Sequence, residues 1–190
     1  HWADNRAAIC TAASKQANPT IVSDGAGGAI VTWEDARSGV DRDLYTQRIS
    51  AGGVVQWTVN GRSLCAAAIN QKFPASVPDG SGGAIITWED YRAGTTNSDI
   101  YVQRISSAGS AQWTLNGVAV CTSADSQRDP VVVSDGTGGA IITWWDLRSG
   151  TYYDIYAQRV SSMGAGQWTS GGVGICTATN NQQQPESVSD

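Results

Sequence analysis

The sequence predicts an all-β fold built from four-stranded antiparallel units in tandem, and three observations lead to this prediction. First, a block of about 55 residues recurs three times along the 190-residue chain. Second, each block contains short apolar or alternating segments separated by glycine-rich turns, which is typical of antiparallel strands. Third, no segment shows the 3.6-residue apolar period of a helix, and the 22 glycines interrupt every candidate.

The repeat is defined by landmarks that keep one phase through the chain. The block TWEDARSG at residues 32–39 returns in similar form at 87–94 and 143–150. The four cysteines are spaced 55, 56 and 55 residues apart, and four of the five prolines share this spacing. The middle repeat has one extra residue after Gly94, and surface loops tolerate insertions. We therefore expect residues 93–98 to form an exposed loop.

Each repeat is expected to contain four strands. In the first repeat, a strand follows the proline at residues 20–23, and an Asp-Gly turn joins it to a second strand at 29–34. The second strand is apolar on both faces, which indicates a strand covered on both sides. A third strand with clearer alternation is expected at 43–50 and a fourth at 56–58. An Asn-Gly turn and a short apolar segment then close the unit.

Four antiparallel strands in about 55 residues, repeated with covered faces, match the blade of a β-propeller. A β-solenoid would use shorter, more uniform coils, and a chain of small separate sandwiches is the other alternative. A closed propeller has about four to eight blades, so three blades predict an open array or part of a larger ring. The predicted divisions are residues 1–18 (outer strand, starting at Trp2, and connection of a preceding blade), 19–73, 74–129 and 130–184 (three blades) and 185–190 (inner strand of a following blade).

The turn before the predicted fourth strand resembles the Asp-box turn of sialidase-type propellers. Residues 50–57, 106–113 and 161–168 each hold a serine and a tryptophan seven positions apart, with glycine between them. The aspartate of the box is absent from all three copies, so the match is degenerate. The longer repeat, VSDGxGGAIxTWxDxRxG followed by DIYxQR and QWT, resembles tandem repeats of large secreted or surface-attached bacterial proteins. This resemblance implies an extracellular or cell-surface, propeller-like module, and it implies no activity.

Charge and composition exclude several classes of function. The chain has 12 Lys and Arg against 17 Asp and Glu, a net charge of −5, whereas a generic nucleic-acid binder presents a basic surface. No apolar run approaches the roughly 18 residues of a membrane span. The only histidine is His1, so the sequence offers no Ser/His/Asp set and no Cys/His cluster for a metal. Glycoside hydrolysis needs two carboxylates in one cleft, and this sequence has no such pair outside the positions that recur in every repeat. We therefore expect no catalytic residue, metal or cofactor.

Each repeat contributes one cysteine at one phase: Cys10, Cys65, Cys121 and Cys176. Equivalent points on adjacent blades should lie farther apart than the Cα limit of about 7 Å for a disulfide. We therefore expect four reduced thiols that are buried as small apolar side chains.

The repeated Asp-x-Arg-x-Gly turn supplies most of the candidate ligand- or partner-binding residues. They are Asp35, Arg37, Asp90, Arg92, Asp146 and Arg148. These side chains offer groups for calcium or for sugar hydroxyls, but an aspartate can also cap its own turn and pair with the arginine. Recurrence in every blade favours the structural interpretation, because catalysis usually needs one site.

The tryptophans divide into two repeated sets and one exception. Both sets, in the second strand and at the Asp-box-like turn, are expected to pack in the core. Trp145 stands where the other repeats have Glu34 and Glu89, so a partly exposed side chain is expected there. Trp145 is therefore the best single candidate for a contact residue.

Two functions from different classes follow from these features. The first is a non-catalytic scaffolding module of an extracellular protein, which associates with copies of itself or with adjacent repeats of a longer chain, in a ring or a filament. The second is a carbohydrate-binding module with one shallow site per blade. A fragment of a glycoside-hydrolase-type propeller is a distant third. The expected partners are copies of this chain or glycans, with no nucleic acid and no membrane span.

Overall fold

A computed structural model describes residues 8–188, which form twelve β-strands. The strands are β1 (Gln16–Ser23), β2 (Ala29–Asp35), β3 (Asp43–Ile49), β4 (Arg62–Cys65), β5 (Gln71–Pro78), β6 (Ala84–Asp90), β7 (Asp99–Ile105), β8 (Val118–Cys121), β9 (Gln127–Ser134), β10 (Ala140–Asp146), β11 (Asp154–Val160) and β12 (Val173–Cys176). They make three sheets, each of four antiparallel strands in chain order. The predicted all-β fold of tandem four-stranded blades is thus confirmed. Among the described residues, no helix is long and apolar enough to cross a membrane.

The sheets, here called blade one (β1–β4), blade two (β5–β8) and blade three (β9–β12), pack face to face. The first inter-blade core places Ile30 and Leu44 of blade one with Ile86 and Trp88 of blade two. The second core repeats this arrangement between blades two and three. Every residue of β6 is buried because blade two is covered on both faces, as the two-sided apolar pattern predicts.

The innermost strand of each blade carries a bulge at its proline. In blade one the pairing with β2 shifts between Ala17 and Thr20, and the same shift recurs in β5 and β9. The inner strands β1, β5 and β9 are neighbours, and the hydroxyls of Thr20 and Ser76 lie 2.8 Å apart across the first pair. The bulges of successive blades therefore form a row along one side of the molecule.

The predicted fourth strand is wrong. Residues 56–58 belong to no strand, and the outer strand is β4, at the segment expected only to close the unit. The reason is Gln47, whose buried side chain accepts the N–H of Trp57 at 2.9 Å and donates to the carbonyl of Thr58 at 2.8 Å. These bonds take the place of a strand ladder, so only an isolated bridge joins Ile49 to Val55.

Two further boundaries differ from expectation. The inner strand β1 begins at Gln16, before the proline rather than after it, because the bulge lets pairing continue past Pro19. The loop expected at residues 93–98 is exposed at Ala93 and at 95–97 but ends in Ser98, which is fully buried and donates its hydroxyl to the carbonyl of Gln127 at 2.6 Å. The strand predicted at Trp2 lies outside the described residues, as do residues 189–190 of the last predicted strand; residues 185–188 belong to no strand.

Candidate functional site

The Asp-x-Arg turn follows the second strand of each blade and forms a closed polar unit. In blade one the fully buried Asp35 carboxylate accepts the N–H of Arg37 at 2.9 Å and the indole N–H of Trp33 at 2.8 Å. The Arg37 guanidinium makes a two-pronged ion pair with the same carboxylate, at 2.9 and 2.6 Å. Burial by itself raises the pKa of Asp35, but these hydrogen bonds outweigh it and hold the pKa below its ordinary value.

In blades two and three the arginine also joins its blade to the one before it. Arg92 donates to the carbonyl of Asn116 at 2.7 Å and lies 3.9 Å above the ring of Tyr101, both in its own blade. The same guanidinium reaches Sγ of Cys65, in the outer strand of blade one, at 3.4 Å. Arg148 repeats this contact with Cys121 at 3.3 Å. The six candidate Asp and Arg side chains are therefore brought together as three pairs, one per blade, and each pair is occupied by fold contacts.

Two aspartates face each other across the second and third strands of every blade. In blade two Asp90 is directly paired with Asp99, which is 8% exposed. Burial and, to a lesser degree, the charge of Asp90 raise the pKa of Asp99 to about 6. Within residues 8–188 no group of three or more His, Cys, Asp or Glu is placed to hold a metal ion.

The expectation of four buried thiols is only half right. Cys65 and Cys121 are buried between blades, and burial raises the pKa of Cys65 to about 12. Cys10 is half-buried and Cys176 is exposed, because the described chain places no following blade over Cys176. All four are free thiols.

A second inter-blade contact comes from the tryptophans of the Asp-box-like turn. The indole N–H of Trp57 donates to the carbonyl of Ser107 in blade two at 3.2 Å, and Trp113 does the same to Ser162 in blade three at 3.0 Å. Each ring lies on a glycine of the receiving turn, and a Cβ on Gly109 would come within 2.9 Å of the Trp57 ring. The glycine at this place in the turn is therefore required by the neighbouring blade.

A third contact was missed by sequence reasoning. Asp24, in the Asp-Gly hairpin, accepts the N–H groups of Ala26 and Gly28 and a 2.9 Å bond from Nε of Arg48. Arg48 then donates to the carbonyl of Ser107 in the next blade at 3.2 Å. The sequence carries this aspartate and this arginine at fixed positions in every repeat, but only the structure shows that the two side chains are in contact.

The outer face of blade three presents the same groups without a covering blade. Trp168 is 39% exposed, and its indole N–H has no hydrogen-bond partner within the described chain, so the expectation of a core position is wrong for this tryptophan. Ile175 is 60% exposed, whereas its equivalents Leu64 and Val120 are buried. A cavity of about 500 Å³ lies on this face. It is lined by Val133, Ser134, Asp135, Gly136, Ile141, Arg159, Trp168 and Val188. We call this surface the open face.

Trp145 is half-buried, as predicted. Its ring meets that of Tyr153 edge-on at 5.9 Å, and its buried indole N–H has no partner. At the equivalent place, Glu34 accepts the N–H of Phe73 in the next blade at 3.0 Å. Replacement of this glutamate by Trp145 thus removes a carboxylate that elsewhere fixes the following inner strand.

Comparisons with known proteins include a structural likeness. No family model and no curated protein matches the chain. Among solved structures, the crystal structure of endo-arabinase from Bacteroides thetaiotaomicron VPI-5482 is similar, with 18% sequence identity and a TM-score of 0.47. The match covers 80% of this chain and 59% of that chain. The chain therefore spans less than two thirds of that protein, and the likeness carries no inference about activity.

Proposed function

We propose that this chain is a non-catalytic scaffolding module that extends by stacking one blade on the next. The observation that supports the proposal is the open face, which presents the groups that bind the following blade at both inter-blade junctions. Trp168 corresponds to Trp57 and Trp113, and Arg159 corresponds to Arg48. A face with this pattern is complementary to a further blade of the same repeat, since at both existing junctions the tryptophan N–H donates to a serine carbonyl of the next blade.

The polar side chains of the repeat favour a structural role over catalysis. Each Asp-x-Arg carboxylate is buried and already accepts several N–H groups, so it has little capacity to bind substrate. The arginines lie across the junctions and contact the thiol of the preceding blade. These arginine contacts fix the alignment of each blade relative to the preceding one.

The occupant of the open face is a blade of a second copy or an adjacent repeat of a longer chain. The contact is heterologous, because the two faces of a blade differ, and such contacts build closed rings or open filaments. In a head-to-tail pair, residues 167–190 of one copy and 1–24 of the other share a phase and compete for the same place. Association of separate copies therefore requires displacement of one segment, and slow, concentration-dependent assembly is expected.

Sedimentation velocity over a wide concentration range tests this proposal. The unmodified chain is expected to form larger species as concentration rises. Trp168→Ala is expected to weaken association at least tenfold, because it removes the indole whose equivalents contact the next blade at both existing junctions. Tyr152→Ala is the matched control, since Tyr152 is 41% exposed and does not line the cavity. A chain that stays monomeric throughout, or equal weakening by both variants, contradicts self-association through this face.

A further inference from the structure

The residue before each repeat proline has an unusual backbone that the rest of the repeat holds in place. Asn18, Phe73, Asp129 and Gln184 all have left-handed φ values, of 47°, 52°, 47° and 57°. The N–H of Phe73 is bound by the Glu34 carboxylate at 3.0 Å, and that of Asp129 by Glu89 at 2.8 Å. At this position the backbone conformation is therefore the same in successive blades, whereas the side chain is an amide, an aromatic ring or a carboxylate.

Phe73 is the bulkiest of the four residues at this position and the least suited to its backbone. Asn and Asp tolerate the left-handed region, whereas a bulky aromatic side chain is strained there. Burial does not compensate well, because Phe73 is 46% exposed. Residues held in strained backbone conformations cluster at ligand-binding and active sites.

The bulges of the three blades line one groove with Phe73 at its centre. The groove has a volume of about 320 Å³, which falls at the small end of the roughly 300–1,000 Å³ range of ligand sites. It is lined by Asn18, Pro19, Phe73, Pro74, Ala75, Asp129, Pro130 and Val131. Asn18 and Asp129 thus lie on the two sides of the aromatic ring, each contributed by a neighbouring inner strand.

The flanking polar groups have free hydrogen-bonding capacity. The Asn18 amide donates to Glu34 at 2.6 Å, which fixes its orientation and leaves Oδ1 as an acceptor. The Asp129 carboxylate makes no hydrogen bond or ion pair within the described residues, and its exposed oxygens can accept two hydroxyls. The site therefore offers one apolar platform between an amide acceptor and a carboxylate.

We propose that this groove binds one or two rings of a neutral saccharide. The C–H face of a pyranose or furanose ring stacks on Phe73, while its hydroxyls donate to Asn18 and Asp129. The carboxylate and the net charge of −5 disfavour phosphorylated or otherwise anionic ligands. The groove is formed by the inner strands of the three blades described here, so it needs no further blade on the open face.

The test replaces Phe73 with the residue that blade one carries at the same φ. A glycan array of neutral oligosaccharides, followed by calorimetric titration of the best disaccharide, measures binding to the full chain. Phe73→Asn is expected to lower affinity at least tenfold while thermal stability stays equal or rises, because Asn relieves the backbone strain. Leu115→Ala is the control, because Leu115 is 80% exposed and lies outside the groove.

A second variant tests the polar contact of Asp129 separately from stacking on Phe73. Asp129→Asn keeps shape and backbone tolerance but replaces one acceptor oxygen with a donor, and it is expected to change which sugars bind rather than the fold. The proposal is overturned if the unmodified chain binds no neutral saccharide on the array, if Phe73→Asn binds as well as the unmodified chain, or if Leu115→Ala lowers affinity equally. Preferential binding of proline-rich peptides to the groove would also overturn it.

Discussion

In each blade an aspartate at the end of the second strand is paired with an aspartate at the start of the third, and in blade two this pair destabilises the folded state when both are charged. Asp90 is neutralised by Arg92 at 2.6 Å, but Asp99 faces it from the adjacent strand with a pKa raised to about 6 by burial and by that neighbour. An ordinary aspartate in an unfolded chain has a pKa near 3.8. Between these two values the folded state binds more protons than the unfolded state, so stability falls as the pH rises through this window.

The expected consequence is that Asp99→Asn stabilises the protein at pH 7 to 8 and has little effect below about pH 4. The amide replaces a carboxyl group whose charged form is unfavourable in this place, and the benefit disappears where the acid is protonated in both states. Thermal unfolding followed across this pH range measures the effect. Glu186→Gln serves as the control because Glu186 is exposed. A stabilisation that does not depend on pH would show that repulsion and burial of the charge are not the cause.

Single residues also explain why the candidate site was only partly predictable from sequence. The capping role of Asp35 and its pair with Arg37 follow from local spacing, and the structure contains both contacts. The contact of Arg92 with Cys65 joins residues 27 positions apart on different blades, and no local pattern reports it. The position of Phe73 in a groove was also not predicted, because the groove is formed by residues of three blades that lie about 55 positions apart in the sequence.

At the scale of an element, the Asp-box-like turn after the third strand is one of the features that connect blades. Its glycine has a left-handed φ of 81° in blade two, and the Trp57 ring lies directly on it. The sequence predicted β2 and β3 well because apolar patterning determines them. It misplaced the outer strand because the Gln47 side chain, rather than a backbone ladder, binds residues 57 and 58.

Gly109→Ala is expected to destabilise the protein by about 1–3 kcal/mol, since it adds strain at a positive φ and a Cβ against the Trp57 ring. Gly94→Ala is the matched control, because nothing lies within 4 Å of the added Cβ and the φ is not left-handed. Urea unfolding monitored by tryptophan fluorescence gives both values. Equal stability of the two variants would mean that this turn does not hold the blades together.

The whole molecule behaves as a stack in which each blade is stabilised by its neighbours. Blade two is covered on both sides, and its central strand is entirely buried, whereas β12 of blade three is largely exposed. In repeat proteins of this kind, stability is approximately a sum of unit terms and nearest-neighbour interface terms. Within residues 8–188, the open face has no interface of the kind that joins blades one and two and blades two and three.

A chain elongated by one blade measures directly how much one further inter-blade interface stabilises the protein. Because Asp190 and Asp135 occupy the same phase, a copy of residues 136–190 joined after Asp190 continues the repeat in register. The added blade is expected to raise the thermal midpoint and to shift Trp168 emission to shorter wavelength, as the indole gains the cover that Trp57 and Trp113 already have. The control carries valine in place of the added glycine that corresponds to Gly164, where a Cβ would lie 2.8 Å from the preceding tryptophan ring. If the elongated chain gains neither stability nor a blue shift over this control, blade stacking on the open face is refuted.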